Sequence, residues 1–164
     1  MLDRYDYIVS ELNRYSEGIH ILNSGIEEAT IEQFEEKSGM CLPYSYKSWL
    51  KIHNGGELFA LPCGTNFFGI LGNAERENGI FYLEDNFIKE KRAGVFNYLF
   101  IIGNLCDGEL IAFDLRRTTL EDGCVVQFDV ESGQIIDEWN CFSQWLDSVL
   151  AEGQELFDYE GNEK

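Results

Sequence analysis

The chain's reactive inventory is two histidines, five cysteines and thirty carboxylates among 164 residues. His20 and His53 stand thirty-three residues apart, and neither has a cysteine or second histidine at ligand spacing. A zinc centre needs four nitrogen or sulfur donors in a tetrahedron, so the pattern argues against one. Asp129-Val130-Glu131 offers two carboxylates on one side of a strand, because residues i and i+2 share a face. Calcium takes about 6–8 oxygens, and no EF-hand spacing surrounds the pair, so a solvated strand face is the better reading. Cys41, Cys63, Cys106, Cys124 and Cys141 are odd in number and contain no C-x-x-C. They read as reduced, small apolar residues. No nucleophile signature surrounds any of them, although a Cys–His pair assembled by folding stays open.

Phosphate and sugar chemistry are no better supported. Asn54-Gly55-Gly56-Glu57 lacks the Lys-Ser/Thr of a P-loop and the G-x-G-x-x-G of a dinucleotide fold. Glycoside cleavage needs one carboxyl in an apolar setting beside an ionised partner. With thirty acids, some pair meets any distance rule by chance. The expectation is a non-enzymatic chain without cofactor or metal.

Charge is the stronger signal. Twelve basic and thirty acidic residues give −18. Residues 118–163 hold Glu121, Asp122, Asp129, Glu131, Asp137, Glu138, Asp147, Glu152, Glu155, Asp158, Glu160 and Glu163 with no Lys or Arg, whereas the first 117 residues net −7. Nucleic acid and anionic membrane both require cationic side chains. Direct binding to either is disfavoured, and a basic protein partner is favoured.

The elements that carry these charges follow from periodicity. A helix over about residues 3–15 places Tyr5, Ile8, Val9 and Leu12 on one side. Gly18 and Gly25 bracket a connector. A second helix begins at Ile31 if Thr30 and Gln33 form a capping box, or earlier near Ser24. Gly39 ends it. A third opens on Pro43, shows Tyr46, Trp49 and Leu50 at core spacing, and stops at Asn54-Gly55-Gly56, with His53 at its carbonyl end. Short β-prone runs follow at 58–61, 67–71, 98–102 and 110–115, with a helix over about 81–91. Ser132-Gly133 is expected to turn a hairpin whose strands are 125–131 and 134–139. Glu131 then opposes Gln134, with Phe128, Val130, Ile135 and Trp139 inward and Gln127, Asp129, Glu131, Gln134 and Glu138 outward. A last helix runs from Phe142 to Leu150 through Trp145, Leu146 and Val149. The sum is one α+β domain over 1–152: a mostly antiparallel sheet of about five or six strands flanked by N-terminal helices and a C-terminal helix. Residues 153–164 read as a frayed acidic tail. The N-terminus lacks the basic and apolar regions of a signal peptide, and no apolar run approaches the ~18 residues that cross a bilayer, so a cytoplasmic location is expected.

The order of Ile26-Glu27-Glu28, Ile31, Phe34, Leu42-Pro43, Tyr46, Trp49-Leu50 and Asn54-Gly55-Gly56 resembles the opening of the SUKH superfamily, whose core is the Smi/Knr domain. The resemblance continues at Ile101-Ile102-Gly103 and Asp107-Gly108-Glu109-Leu110-Ile111-Ala112-Phe113-Asp114, and ends near Phe142, Trp145 and Leu146, covering about residues 26–150. It implies either a bacterial immunity protein that neutralises a polymorphic toxin, often a nuclease, or an adaptor like the fungal regulators of cell-wall synthesis. The absence of a long disordered arm or repeated motif ranks the adaptor second. Charge and alternation alone, not the resemblance, nominate Asp129, Glu131 and Glu138 as partner-binding residues, with Glu121, Asp122 and Asp137 at the rim.

Overall fold

In a computed structural model, residues 2–60, 64–70, 97–105 and 108–164 are described. The chain runs α1 (Leu2–Leu12), β1 (Ile21–Ser24), α2 (Glu28–Ser38), α3 (Tyr44–Leu50), β2 (His53–Leu58), β3 (Thr65–Phe67), β4 (Leu99–Leu105), β5 (Leu110–Thr118), β6 (Gly123–Asp129), β7 (Gln134–Trp139) and α4 (Phe142–Leu156). The strands form one antiparallel sheet in the order β1 to β7, a meander. The fold is α+β as expected, with seven strands where five or six were read.

Each helix buries the stripe that its spacing announced. Tyr5, Ile8 and Leu12 of α1, Ile31 and Phe34 of α2, and Tyr46, Trp49 and Leu50 of α3 are all buried. Their rings meet α4 and the sheet edge-on. Tyr5 lies 5.7 Å from Trp49, Tyr46 lies 5.1 Å from Phe142, and Trp145 lies 5.0 Å from Phe67. Such T-shaped pairs contribute about 0.5–1.5 kcal/mol each beyond area burial. The polar tips of the two tyrosines are satisfied by backbone carbonyls, Tyr5 Oη donating to Ser45 O (2.9 Å) and Tyr46 Oη to Phe68 O (3.3 Å).

Several boundaries differ from the sequence reading. Pro43 is the residue before the first turn of α3, with extended backbone (ψ 143°), so the helix starts at Tyr44. Its first free N–H groups are capped from far along the chain: Tyr44 N donates to Leu120 O (2.7 Å) and Ser45 N to Glu121 O (3.2 Å). At its other end α3 stops at Leu50, and Asn54-Gly55-Gly56 lies in β2 rather than in a helix stop. Glycine is required there for a different reason. A Cβ on Gly56 would lie 2.3 Å from the Ile21 carbonyl oxygen of the neighbouring β1, and its φ is +128°. His53 is accordingly a strand residue. Its Nδ1 sits 3.2 Å from Asn23 O, its ring 5.2 Å from Trp49, and burial lowers its pKa.

α2 begins at Glu28 with Glu27 as its N-cap, midway between the starts expected at Ser24 and Thr30, so neither of those residues caps it. Gly39 ends the helix as read, at φ 70° with its N–H on Glu35 O. The connector between Gly18 and Gly25 contains β1, a strand too short to show period-two alternation. β2 ends at Leu58 and β3 at Phe67, so both expected runs are displaced towards the N-terminus. The helix expected over 81–91 falls outside the described residues.

α4 runs through Gly153 to Leu156, past the boundary expected at residue 152. Gly153 is buried and must be glycine, because a Cβ there would meet the Phe59 ring at 2.0 Å. Beyond it the chain folds back instead of fraying. Phe157 is buried and pairs with Glu163, and Asp158 carboxylate oxygens accept from the Glu160 and Asn162 N–H groups. The Tyr159 ring packs 5.0 Å from Tyr15, under the Arg14 guanidinium.

Candidate partner-binding surface

β6 and β7 place the nominated carboxylates, and the register between them decides which act together. Asp129 opposes Gln134 and Phe128 opposes Ile135, but Gln127 opposes Asp137 and Val126 opposes Glu138. The chain therefore turns through four residues, 130–133, not through Ser132-Gly133 alone. β6 keeps unbroken register with β5 over Val125–Phe128. The extra residue of the irregularity is thus Ile136, a bulge on β7. Opposed residues share a face, so Glu138 lies on the side of Val126 and Asp137 on the side of Gln127 and Asp129. The single outward face expected for Asp129 and Glu138 is split by that one inserted residue.

The six nominated acids have different local duties. Asp129 closes the turn: its carboxylate accepts from Glu131 N (2.9 Å) and Ser132 N (3.2 Å). The Ser132 side chain foremost, and then the Glu131 N–H, hold its pKa below the usual carboxylate range. Asp122 is a clamp. Its Oδ1 accepts from Ser45 Oγ (2.8 Å), Gly123 N (2.8 Å) and Phe142 N (3.1 Å), tying α3, β6 and the first turn of α4. Asp137 accepts from the N–H of Glu138 at 2.8 Å. Glu138 is ion-paired with Arg117 at 3.0 Å, which corrects the expectation that no base neutralises this face. That base comes from β5, immediately before the stretch that lacks Lys and Arg. Glu121 and Glu131 are exposed.

Position separates them further. β6 is seven residues long, or about 20 Å at the usual rise. Glu121 and Asp122 precede its start, whereas Asp129 and Glu131 lie at its far end, so the six acids do not form one patch. At that far end Asp129, Val130 and Glu131 line an open cleft together with Gly108 and Glu109, from the turn into β5. Gln127 Nε2 donates to the Glu109 carboxylate across the same strands. Glu109 was not nominated from sequence. A meander that sets the start of β5 beside the end of β6 is the signal that would have found it.

Behind Glu138 a buried carboxylate is tied to two exposed arginines. Asp114 is fully buried and accepts from Arg116 Nη2 (2.7 Å) and Arg117 Nε (3.1 Å), while the Arg116 guanidinium stacks 4.0 Å over Tyr98. The Arg116 hydrogen bond is the main reason the Asp114 pKa is lowered. A buried carboxylate paired this way is held ionised and is a support, not a proton donor. Among the described residues no group of His, Cys, Asp or Glu is arranged to hold a metal ion, and no described helix is long and apolar enough to cross a membrane. What the surface offers chemically is fixed negative potential around an open strand.

The model of the SMI1 / KNR4 family (SUKH-1) matches the chain over residues 25–148. The chain belongs to the SUKH-1 family. The matched span opens after β1 and closes within α4, so α1, β1 and the returning C-terminal segment lie outside the matched residues. A search among curated proteins finds no match.

Proposed function

We propose that this SUKH-1 chain is a cytoplasmic, non-catalytic immunity protein that binds a toxin with a basic surface and neutralises it, the toxin being a nuclease in the reading favoured here. Family membership supports a protein partner. The observation that carries the electrostatic part is the open cleft of Glu109, Asp129, Val130 and Glu131 on a chain of net charge −18. A nuclease presents basic groups to hold phosphates, and an acidic plate blocks that site by complementarity. Opposed fields also raise association rates by about 10–10³-fold, which matters when a toxin must be caught before it cuts. Weight moves from Glu138, already matched by Arg117, to Glu131 and Glu109 at the cleft. Co-expression with the polypeptide encoded beside this chain, scored as rescue of growth, tests the reading. Rescue with a stable one-to-one complex is the expected result, and continued toxicity despite soluble expression of both chains removes it.

A further inference from the structure

β7 ends the sheet. No described strand pairs with its outer side, and five of its six residues are exposed. Ile136 is 52 % exposed, Ile135 36 % and the adjoining turn residue Val130 48 %, whereas most of the other described isoleucines are buried or packed against the core. An edge of this kind pairs with other strands unless it is guarded, most often by lysine, proline or a bulge. β7 contains neither lysine nor proline. Its guards are the bulge at Ile136 and the Asp137 carboxylate, which covers the Glu138 N–H. An acidic guard is selective. It repels a second copy of a −18 chain and leaves the edge open to a cationic strand.

We propose that the outer edge of β7 docks an extended basic segment of the partner, which adds to the sheet as a further strand and seats apolar side chains on Ile135 and Ile136. This rests on the reading that the partner is a basic protein. Strand addition takes its affinity from main-chain hydrogen bonds and its specificity from alternate side chains. One set of alternating side chains meets the isoleucines, and the other meets Asp137 and Glu131. A lysine or arginine arriving near Asp137 draws that carboxylate off the Glu138 N–H and frees a backbone donor for pairing. The edge then opens to the chemistry it is meant to admit.

The test uses the full chain and a blocked eight-residue peptide alternating lysine and valine, with a control peptide N-methylated along its pairing edge. The first peptide is expected to slow amide exchange across residues 134–139, and the methylated one to bind at least tenfold more weakly. The double variant Ile135→Lys with Ile136→Lys, checked for native far-UV dichroism, is expected to lose at least tenfold in affinity for the first peptide. Equal binding of both peptides, protection only outside β7, or no binding overturns edge docking. The co-expression assay separates the two ideas. Rescue by the parent chain and equally by the double variant sinks edge docking and leaves neutralisation standing, whereas failure of the parent removes neutralisation itself.

Discussion

The two ends of the sheet are built on opposite plans. At the β1 end the apolar groups face one another. Phe59 sits in the left-handed region at φ 50°, unusual for a bulky residue, and is held there by neighbours on every side. Its N–H donates to His20 Nδ1 (3.1 Å), its ring lies 4.5 Å from His20 and 5.3 Å from Tyr15, and Phe157 stacks on it. Residues from both termini meet there. At the β7 end the isoleucines are exposed, and the acids bond to nearby N–H groups, to Gln127 and to one arginine. The first end fixes the scaffold, and the second leaves a surface free to meet something else. If the proposed docking holds, stability and recognition are lodged about a sheet's width apart, and substitutions should affect one without the other.

The largest effect that tests this separation is Phe59→Ala, expected to cost about 3–5 kcal/mol in denaturant unfolding, against less than about 0.5 kcal/mol for Ile136→Ala. Comparable losses at the two sites would end the distinction. Next is Asp122→Ala, which strands the Phe142 and Gly123 N–H groups and the Ser45 hydroxyl. It should cost about 1–3 kcal/mol, because this acid belongs to the scaffold despite its place in an acidic stretch. A loss of the same order is expected on acidification. Burial lowers the His20 pKa to about 4 from 6.5, so the unfolded chain takes up its proton at higher pH than the folded one. Stability is complete above pH 6.5 and declines as pH falls towards 4. His20→Gln should flatten that slope in pH-dependent unfolding. Smallest for stability, yet telling for recognition, is Glu131→Lys. Unfolding should be unchanged within about 0.5 kcal/mol, while the association rate with a basic partner falls several-fold at low ionic strength and converges with the parent at high salt.

The scaffold was readable because its signals are local and periodic. Tyr46, Trp49 and Leu50 declare a buried helical face at any distance from their partners, and Phe142, Trp145 and Leu146 do the same. The surface was harder because its geometry depends on one inserted residue. Alternation places Asp129 and Glu138 together, but the bulge at Ile136 moves Glu138 to the other side, where Arg117 meets it. Period-two reasoning has no means of seeing a bulge. The glycines misled in a similar way: Gly55-Gly56 signals positive φ correctly, but both a helix end and a close strand crossing demand that backbone. The returning C-terminal segment was missed because Phe157 and Tyr159 were outweighed by the acids around them.

The cap on α3 bears on how the chain is made. The groups that complete the first turn of that helix, Leu120 O, Glu121 O and the Asp122 carboxylate, are synthesised long after it, the Ser45–Asp122 bond spanning 77 positions. A growing polypeptide that has passed Leu50 but not Gly123 holds an unfinished helix with its aromatic face still wet. Closure waits on the β5–β6 connection, a long loop to close before its contacts reward it. Premature termination before that connection should therefore leave the first turn of α3 without its acceptors, which a reduced helical signal in fragments ending before Leu120 would show.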